Sequence, residues 1–391
     1  MRIPFLIRIW QIAKREFFRI ASRPLYMFSI FIAPLFCYIF FTTLMWSGLP
    51  TNLPLGMVDL DNTAITRQII RNLDAFQQTK ITKHYTSFTD ARIDMQKGKI
   101  YAFYYIPKGT TQKAISSKQP TVSFYSSYTY LVAGSLLYRD QRMMSELAGG
   151  AIGRATLRAK GLTDKQAEAI LQPIVIDTHP INNPWLNYSI YLNNAIIPGV
   201  LILLIFMTTI YTIGSEIKEE TQKEWMALAN NNISIALAGK LAPQTMLYFL
   251  MACAYNAYLY GFLHFPCHSG ILPMLFISLL TILASQAFAI FLYGAISSFR
   301  LSLSIACLWG VVSFSITGLS FPTMAMHPAL QGLAYLFPLR HYYLLYVNSA
   351  LNGFYLIYAW PSVVALLLFI LLPFIVIKHL NTIITQYKYI P

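Results

Sequence analysis

The stretch LYMFSIFIAPLFCYIFFTTLMW, from Leu25 to Trp46, runs for 22 residues without a Lys, Arg, Asp or Glu. A helix needs about 20 apolar residues to cross the hydrocarbon core of a bilayer. A cleavable secretion signal has a shorter apolar region, of about 7–15 residues, and a cleavage site with small residues. This stretch has neither feature, so the sequence predicts a permanent membrane anchor near the amino terminus.

Much of the remaining chain is equally apolar. Of the 391 residues, 11% are charged and 56% are hydrophobic, whereas a soluble domain has about 25% charged residues. Stretches without charge predict five further spans, at residues 188–214, 241–263, 271–299, 301–321 and 354–377. The predicted fold class is therefore membrane α-helical with six transmembrane helices, the first within 24–48 and the others within 188–377. The four cysteines show no paired spacing, so neither a disulfide framework nor a metal site is predicted.

The distribution of Lys and Arg predicts the orientation of these spans. Residues 1–23 contain six basic residues, including Arg2, and one acid, Glu16, which places the amino terminus in the cytoplasm. Counting spans then places the loop 215–240 and the tail 378–391, with Lys388, in the cytoplasm as well. The same count places residues 49–187 outside the cytoplasm.

Residues 1–23 are predicted to form a helix that lies on the inner membrane surface. One face of that helix would carry Phe5, Ile9, Ile12, Glu16 and Ile20. The basic residues that would meet anionic lipid headgroups are Arg8, Lys14, Arg15 and Arg19. The alternative is a basic tail that only sets topology. The net charge of +14 does not indicate nucleic-acid binding, because the basic residues are scattered or close to the membrane and no nucleic-acid-binding motif accompanies them.

Residues 49–187 are predicted to form an extracytoplasmic α/β domain, because short strand-like and helical patterns alternate there. Strands are expected at 53–59, 100–106, 121–125 and 174–177, and helices at 62–76, 87–96, 130–160 with an interruption at Gly149-Gly150, and 163–171. The stretch Asp59-Leu-Asp61-Asn62 resembles the start of a calcium-binding EF-hand loop. That loop needs Gly at its sixth position and Glu at its twelfth, where this chain has Ala64 and Ile70. A strand that runs into a capped helix is therefore expected instead.

The loop after the second span carries an acidic cluster. Glu216, Glu220 and Glu224 follow at intervals of four, with Glu219 beside them, so on one helix they would share a face. Like charges at this spacing repel by roughly 0.2–0.5 kcal/mol per pair, and cytoplasmic loops favour the opposite sign. A basic partner in the cytoplasm would explain both features. The alternative is a solvated polar hairpin.

A second unusual segment lies before the last span. It reads Thr317-Gly318-Leu-Ser-Phe321-Pro322, then Met326-His-Pro328, and ends in Phe337-Pro338-Leu-Arg340. Its apolar residues are too often broken by proline to form a span. Because irregular backbone at membrane depth survives only against protein or a water-filled cavity, residues 322–340 are predicted to form a re-entrant helix–turn, with Pro322 and Pro328 as helix breakers. The alternative is an ordinary outer loop.

These two segments resemble the permeases of type-2 ABC exporters, which have the type V fold. Gly214-x-Glu216 with Glu220-x-x-x-Glu224-Trp225 is similar to the coupling segment of that family, although Gln222 and Asn232 replace the usual residues and no proline ends the motif. The segment from Gly318 to Pro338 is similar to the family's re-entrant segment. Val58-Asp-Leu-Asp61-Asn62-Thr63 and Ile100-Tyr-Ala-Phe resemble the subgroup with a large periplasmic domain between the first two spans.

The resemblance implies the permease subunit of a multidrug-efflux-like ABC exporter in the bacterial cytoplasmic (inner) membrane. Such a subunit pairs with a second copy or a paralogue, contacts membrane lipid, and exports an amphiphilic or hydrophobic substrate such as a drug. A separate ABC ATPase holds the ATP and Mg, so this chain would bind no cofactor and catalyse no reaction itself. A periplasmic adaptor protein is a further expected partner. No GxxxxGK[ST] motif is present in the chain, in agreement with an ATPase elsewhere.

Three sets of site residues follow from the resemblance. The residues expected to couple to the ATPase are Glu216, Glu219, Glu220, Thr221, Glu224 and Trp225. The residues expected to line the translocation path are Asn193, Asn194, Thr208, Ser313 and Thr317. The re-entrant segment is marked by Gly318, Phe321, Pro322, Pro328 and Pro338. For the path residues, hydrogen bonds between helices, worth about 1 kcal/mol each, are an equally weighted alternative.

Other functions remain open from the sequence alone. The exported substrate could be a lipid or a glycan instead of a drug. A membrane-bound transferase or a sensor with an extracytoplasmic ligand-binding domain is also conceivable. A transferase usually needs a cluster of carboxylates or histidines, and Asp177 with His179 lacks a further catalytic partner. A proton-coupled transporter is disfavoured because the predicted spans contain no Asp, Glu, Lys or Arg.

Overall fold

The computed structural model describes residues 5–116 and 118–386, and these residues form two compact units. The helical unit contains the chain up to Trp46 and again from Ile181 onward, and the inserted unit contains Ser47–Pro180. Arg2 and Lys388, which entered the topology prediction, lie outside the described residues.

The helical unit begins with an amphipathic helix, α1 (Phe5–Ser22), followed after Arg23 by a second helix. The second helix is continuous from Pro24 to Leu44 and consists of α2 (Pro24–Met27), a π-helical turn (Phe28–Ile32) and α3 (Ala33–Leu44). Leu6, Trp10 and Phe18 on α1 are exposed, whereas Glu16 and Arg19 are buried. Ile12 and Ile20 are buried together with Glu16, as the predicted face requires, but the buried side also includes the charged Arg19, and the exposed side carries large apolar side chains.

The inserted unit is a four-stranded mixed sheet with helices on both faces. Its elements are β1 (Leu53–Asp59), α4 (Ala64–Asp74), β2 (Thr79–Tyr85), α5 (Phe88–Gln96), β3 (Ala102–Ile106), α6 (Thr110–Ile115), β4 (Ser123–Ser126), α7 (Leu131–Ala159) and α8 (Asp164–Leu171). The strand order is β2-β1-β3-β4, with β1 parallel to β2 and β3, and β4 antiparallel to β3. Leu55, Met57 and Tyr104 pack beneath α7, while Val58 and Phe103 pack against α5 on the other face.

Several predictions for this unit are wrong. No strand forms at 174–177, and α7 is not interrupted at Gly149-Gly150. The sequence also did not predict β2. By contrast, the interpretation of Asp59 to Asn62 as a strand end that runs into a capped helix is confirmed. The carboxylate of Asp59 accepts the backbone N–H groups of Asp61 and Asn62, at 3.0 and 2.9 Å, and Thr63 caps α4.

The remaining chain returns to the helical unit. Its helices are α9 (Tyr188–Lys218), α10 (Gln222–Leu228), α11 (Ile233–Asn256), α12 (Ile271–Ile296), α13 (Phe299–Ile316), α14 (Pro328–Ala334), α15 (Pro338–Tyr346), α16 (Trp360–Leu371) and α17 (Pro373–Gln386). A π-helical turn (Ala257–Phe262) extends α11 and another (Val347–Leu351) extends α15. Short 3-10 turns lie at Thr323–Ala325 and Leu356–Ala359. Helices α9 and α12 are largely buried and form the centre of the unit.

Among the described residues, six helices are long and apolar enough to cross a membrane. They are Pro24–Leu44, Tyr188–Lys218, Ile233–Phe262, Ile271–Ile296, Phe299–Ile316 and Leu356–Gln386. Four of them extend beyond the predicted spans. Helix α9 continues past residue 214, α11 begins before residue 241, α13 begins before residue 301, and the last one continues past residue 377. The prediction of spans without charged residues is therefore wrong at their ends, where α9 includes Glu216 and α11 includes Lys240.

Candidate functional site

The main polar site of the helical unit is a group of seven charged side chains that we call the charge cluster. It joins α1 to the end of α9 and to the first turns of α11. Its members are Arg15, Glu16, Arg19, Arg23, Glu216, Glu219 and Lys240.

Glu216 is the centre of the charge cluster, and its side chain is fully buried. Its Oε1 accepts hydrogen bonds from Arg15 Nη1 at 2.8 Å, from Lys240 Nζ at 2.6 Å and from Arg19 Nη1. The hydroxyl of Thr221 donates to its Oε2. A buried carboxylate is tolerated only when it is paired and hydrogen-bonded. Glu216 meets that condition because cationic side chains of both α1 and α11 donate hydrogen bonds to it.

Lys240 connects the two buried acids of the charge cluster. Its ammonium donates to Glu16 Oε2 at 2.7 Å and to Glu216 Oε1 at 2.6 Å, and its side chain is fully buried. The same ammonium lies 5.0 Å from the ring centroid of Trp225, within the range of a cation–π interaction. Trp225 is itself buried, and its indole N–H donates to the carbonyl oxygen of Ala236 at 3.1 Å. The short helix α10 is thereby fixed to α11.

Glu219 forms the partly exposed edge of the charge cluster. It accepts hydrogen bonds from Arg23 Nη1 at 2.6 Å and from Arg19 Nη2 at 2.6 Å. The hydrogen bond from Arg23 lowers the pKa of the Glu219 carboxyl, and Glu219 in turn raises the pKa of Arg23. Arg15, Arg19 and Arg23 therefore bind acids of their own chain. The prediction that Arg15 and Arg19 are free to meet lipid headgroups is wrong.

The acidic loop does not form a single helical face. Helix α9 ends at Lys218, Glu220 has a left-handed φ of +58°, and α10 begins at Gln222. As a result, Glu216 is buried inside the helical unit, whereas Glu220 and Glu224 are exposed. The basic partners of Glu216 and Glu219 belong to the same chain and lie in α1, at Arg23 and in α11. Lys218, Glu220, Lys223 and Glu224 form the exposed surface of this loop, which we call the loop surface.

The predicted path residues are all buried in the helical unit. Thr208 shares a hydrogen bond of 3.0 Å with the hydroxyl of Tyr248 on α11. The backbone carbonyl oxygen of Asn193 accepts a hydrogen bond from the hydroxyl of Tyr255 at 2.9 Å. The side-chain oxygen of Asn194 accepts one from the hydroxyl of Tyr260 at 3.4 Å. The contacts of Thr208 and Asn194 support the alternative of side-chain hydrogen bonds between helices. The side chain of Asn193 instead donates to Ser189 of its own helix at 2.8 Å.

The two path residues on the α13 side bond to nearby backbone. Ser313 donates to the carbonyl oxygen of Gly310 at 2.5 Å, and Thr317 donates to that of Ser313 at 3.0 Å. A role for any of the five residues in the translocation path stays a prediction.

The segment 317–346 forms two short helices that pack onto the helical unit. Pro328 and Pro338 occupy the first turn of α14 and α15, where the missing N–H of proline costs nothing. Gly318 has a φ of +97°, and the guanidinium of Arg340 donates to the carbonyl oxygen of Thr317 at 3.0 Å. These features fix the turn between α13 and α15. Whether it enters the membrane stays a prediction.

The two other markers of this segment lie at its surface. Phe321 is 53% exposed, and Pro322 precedes the 3-10 turn Thr323–Ala325. Within residues 5–116 and 118–386, no group of three or more His, Cys, Asp or Glu side chains could hold a metal ion.

Sequence reasoning missed the cationic half of the charge cluster. The signal was present, because Arg15, Arg19 and Arg23 are spaced four residues apart and could meet an acidic stretch along one helix face. In the sequence, Lys240 marks only the boundary of a predicted span, and Glu16 is one member of an otherwise apolar face. The partners lie about 200 residues apart along the chain, which local patterns do not reveal.

A family model described as "ABC-2 family transporter protein" matches residues 24–377 of the chain. The comparison with curated proteins finds no match.

Proposed function

We propose that this chain, which belongs to the ABC-2 family of transporter proteins, is the permease subunit of an exporter. In this proposal, the conformational change of the ATPase is transmitted to the spanning helices through the loop surface and the charge cluster. As a multi-pass member of this family, it is a transmembrane subunit of an ABC transporter, and an ABC ATPase is its partner. In this proposal ATP and Mg bind to the ATPase, the permease works with a second copy or a paralogue, and the loop surface faces the cytoplasm.

The observation that carries the proposal is the coordination of Glu216. One carboxylate at the end of α9 is bonded to α1 through Arg15 and to α11 through Lys240. A force on the loop between α9 and α11 therefore acts on two spanning helices and on α1 together. Packed elements with hydrogen-bonded charges move as units instead of deforming continuously. This is what coupling of an external ATPase to the spans requires.

The orientation within the proposal is supported by the bias of Lys and Arg toward the amino terminus and the short loops on its side. With this orientation the inserted unit is extracytoplasmic and is available to a periplasmic adaptor. The proposed substrate is amphiphilic or hydrophobic, such as a drug. Its support is that the described charged residues of the spanning helices lie near their ends, which leaves neutral and apolar side chains in the middle. A lipid or a glycan is the alternative substrate, and a transport assay with the complex in proteoliposomes would distinguish these classes.

The docking role of the loop surface is tested by charge reversal. Glu220 and Glu224 are exposed and outside the charge cluster, so the double variant Glu220→Lys/Glu224→Lys should fold normally. Because opposed like charges at an interface cost several kcal/mol, affinity for the ATPase should fall by about tenfold or more. The measurement is co-purification and ATP hydrolysis of the full complex in nanodiscs.

The matched control for this experiment is Glu168→Lys, a charge reversal at an exposed position of α8 in the inserted unit. Unchanged affinity and unchanged hydrolysis in the double variant would show that the ATPase docks elsewhere. Retained affinity with lost stimulation of hydrolysis would instead place the loop surface in coupling and not in docking.

A further inference from the structure

An open groove runs along the outside of the helical unit, between α11, α12 and the last two helices, α16 and α17. We call it the lateral groove, and its volume is about 660 Å³. Its lining includes the small side chains of Ala238, Ala242 and Ala287 and the large apolar side chains of Phe249, Leu283 and Phe374. All four helices belong to spanning segments, so the groove opens toward hydrocarbon. Its volume lies within the 300–1,000 Å³ of small-molecule sites.

One polar side chain of the lateral groove sits near the middle of a span. Gln286 lies ten residues before the end of α12 at Ile296, or about 15 Å at 1.5 Å per residue. The whole helix has 26 residues and is about 39 Å long. Gln286 is therefore about 4–5 Å from the midpoint of α12, far from both ends.

The amide of Gln286 is only half satisfied. Its Oε1 accepts a hydrogen bond from the hydroxyl of Thr245 on α11 at 2.7 Å. Its Nε2 has no hydrogen-bond partner among the described residues, although the side chain is 97% buried. An unsatisfied buried polar group is costly, and hydrocarbon offers it no partner. A ligand that carries a hydrogen-bond acceptor would relieve this cost after a small rotation of the amide.

We propose that the lateral groove binds a lipophilic molecule that is dissolved in the membrane and carries a carbonyl or ether acceptor for the Gln286 amide. The groove supplies apolar surface for the hydrocarbon part of the ligand, and Gln286 supplies the single polar contact. Such sites, mainly apolar with few polar groups, are the usual form of small-molecule pockets.

The position of Gln286 distinguishes this ligand from a phospholipid. The ester groups of phospholipids lie at the boundary of the hydrocarbon core, about 15 Å from the bilayer centre for a core of about 30 Å. An acceptor near the middle of a span therefore belongs to a molecule without an anchored headgroup. A concave groove of this volume also suits a small molecule better than a helix of a second copy. Resting on the proposed function, the lateral groove is a place where a membrane-dissolved substrate is first bound.

The test uses photolabelling of the full-length chain in phosphatidylcholine nanodiscs, without ATPase or ATP. Three probes carry the same diazirine: a long-chain alkyl ketone, the matching hydrocarbon, and a phosphatidylcholine labelled on its acyl chain. The ketone should label peptides of α11 and α12 beside the groove, and unlabelled ketone should compete. Gln286→Leu should reduce ketone labelling by about 3- to 10-fold and leave hydrocarbon labelling unchanged.

A second pair of variants keeps the test independent of Gln286. Ala242→Trp fills the groove and should reduce ketone labelling at least tenfold, whereas Leu250→Trp, on the same helix but outside the groove, should not. Ala238→Phe replaces Ala242→Trp if the latter does not yield monodisperse protein. Labelling that is unchanged in the filled groove would overturn the proposal. Stronger labelling by phosphatidylcholine, or crosslinks between two copies through the groove, would overturn it in favour of a lipid or an interface between copies.

Failure here can be separated from failure of the proposed function. If ketone labelling is absent while the ATPase still binds and transport proceeds, the lateral groove is refuted and the exporter function stands. If labelling follows the predictions while no ATPase binds, the groove stands and the coupling proposal fails.

Discussion

Replacing Lys240 by Met should release the amino-terminal helix α1 from the rest of the helical unit. Lys240 is the hydrogen-bond partner of Glu16, whose other oxygen, Oε1, has no partner among the described residues. Glu216 keeps Arg15 and Thr221 for as long as α1 stays docked. Glu16 therefore becomes the unpaired buried charge, and the simplest way to hydrate it is for α1 to detach.

The size of this effect follows from the burial of the pair. Removing one partner of a buried ion pair costs about 3–5 kcal/mol. With about 3 kcal/mol lost from the docking of α1, the detached state becomes roughly 150-fold more populated, at 1.36 kcal/mol per factor of ten. Amide hydrogen exchange of peptides within Phe5–Ser22, measured in nanodiscs, should become faster by a factor of about this size. Peptides from α12 should remain unchanged and serve as an internal reference.

Two further variants make this prediction refutable. Lys218→Met removes an exposed lysine at the end of α9 and should leave exchange of α1 within about threefold of the original chain. The double variant Glu16→Gln/Lys240→Met removes both charges and should restore most of the protection, because neutral replacements avoid the buried unpaired charge. Equal exchange in Lys240→Met and Lys218→Met, or no recovery in the double variant, would show that the ion pair does not hold α1.

Three further predictions address packing and pH. Gly239→Val should detach α1 without changing any charge. Even a Cβ at this position would lie 2.7 Å from a side chain of α1 and 3.0 Å from a carbonyl oxygen of its backbone. Unchanged hydrogen exchange of α1 would show that Gly239 does not pack against this helix. Arg23 lowers the pKa of Glu219, so this pair stabilises the docked helix at pH values above the ordinary carboxyl pKa of about 4.3, and its effect is lost as the pH falls below that value. Hydrogen exchange of α1 should therefore accelerate below about pH 4. Glu219→Gln should abolish this pH-dependent step. In the inserted unit, the hydrogen bond from Lys83 lowers the pKa of Asp94 to about 2. The thermal unfolding midpoint of that unit should therefore decrease as the pH is lowered from about 4 to about 2. An equal decrease in the Asp94→Asn variant would show that Asp94 is not the responsible group.

Local patterns were sufficient for much of the fold. The strand at Leu53–Asp59 was predicted with its observed bounds, because it alternates apolar residues and is followed by a capping motif. The spans were predicted from charge gaps, although not their ends. A helix can continue into the polar region when its charges are paired inside the protein, as Glu216 and Lys240 are.

The failures in the inserted unit have physical causes. The strand Thr79–Tyr85 was missed because its residues TKITKHY are mostly polar and exposed, as expected for an edge strand protected by lysines. The segment Ile174-Val-Ile has the composition of a strand, but the described chain offers its backbone no partner strand. Strand formation requires a neighbour, and composition does not reveal whether one is available.

In the proposed coupling, the acidic residues of the loop 215–240 have two different roles. An acidic cluster in a loop suggests a partner on another protein, and by sequence alone all its glutamates are equivalent. In the structure, Glu216 and Glu219 are neutralised by α1 and α11, whereas Glu220 and Glu224 remain exposed. Substitutions at the first pair should alter how motion passes from the loop to the helices, while substitutions at the second pair should alter affinity for the ATPase. A permease whose Glu216→Gln variant still binds its ATPase with normal affinity, yet no longer links ATP hydrolysis to export, would separate the two roles. Loss of both properties in that variant would mean that the buried cluster and the loop surface act as a single docking site.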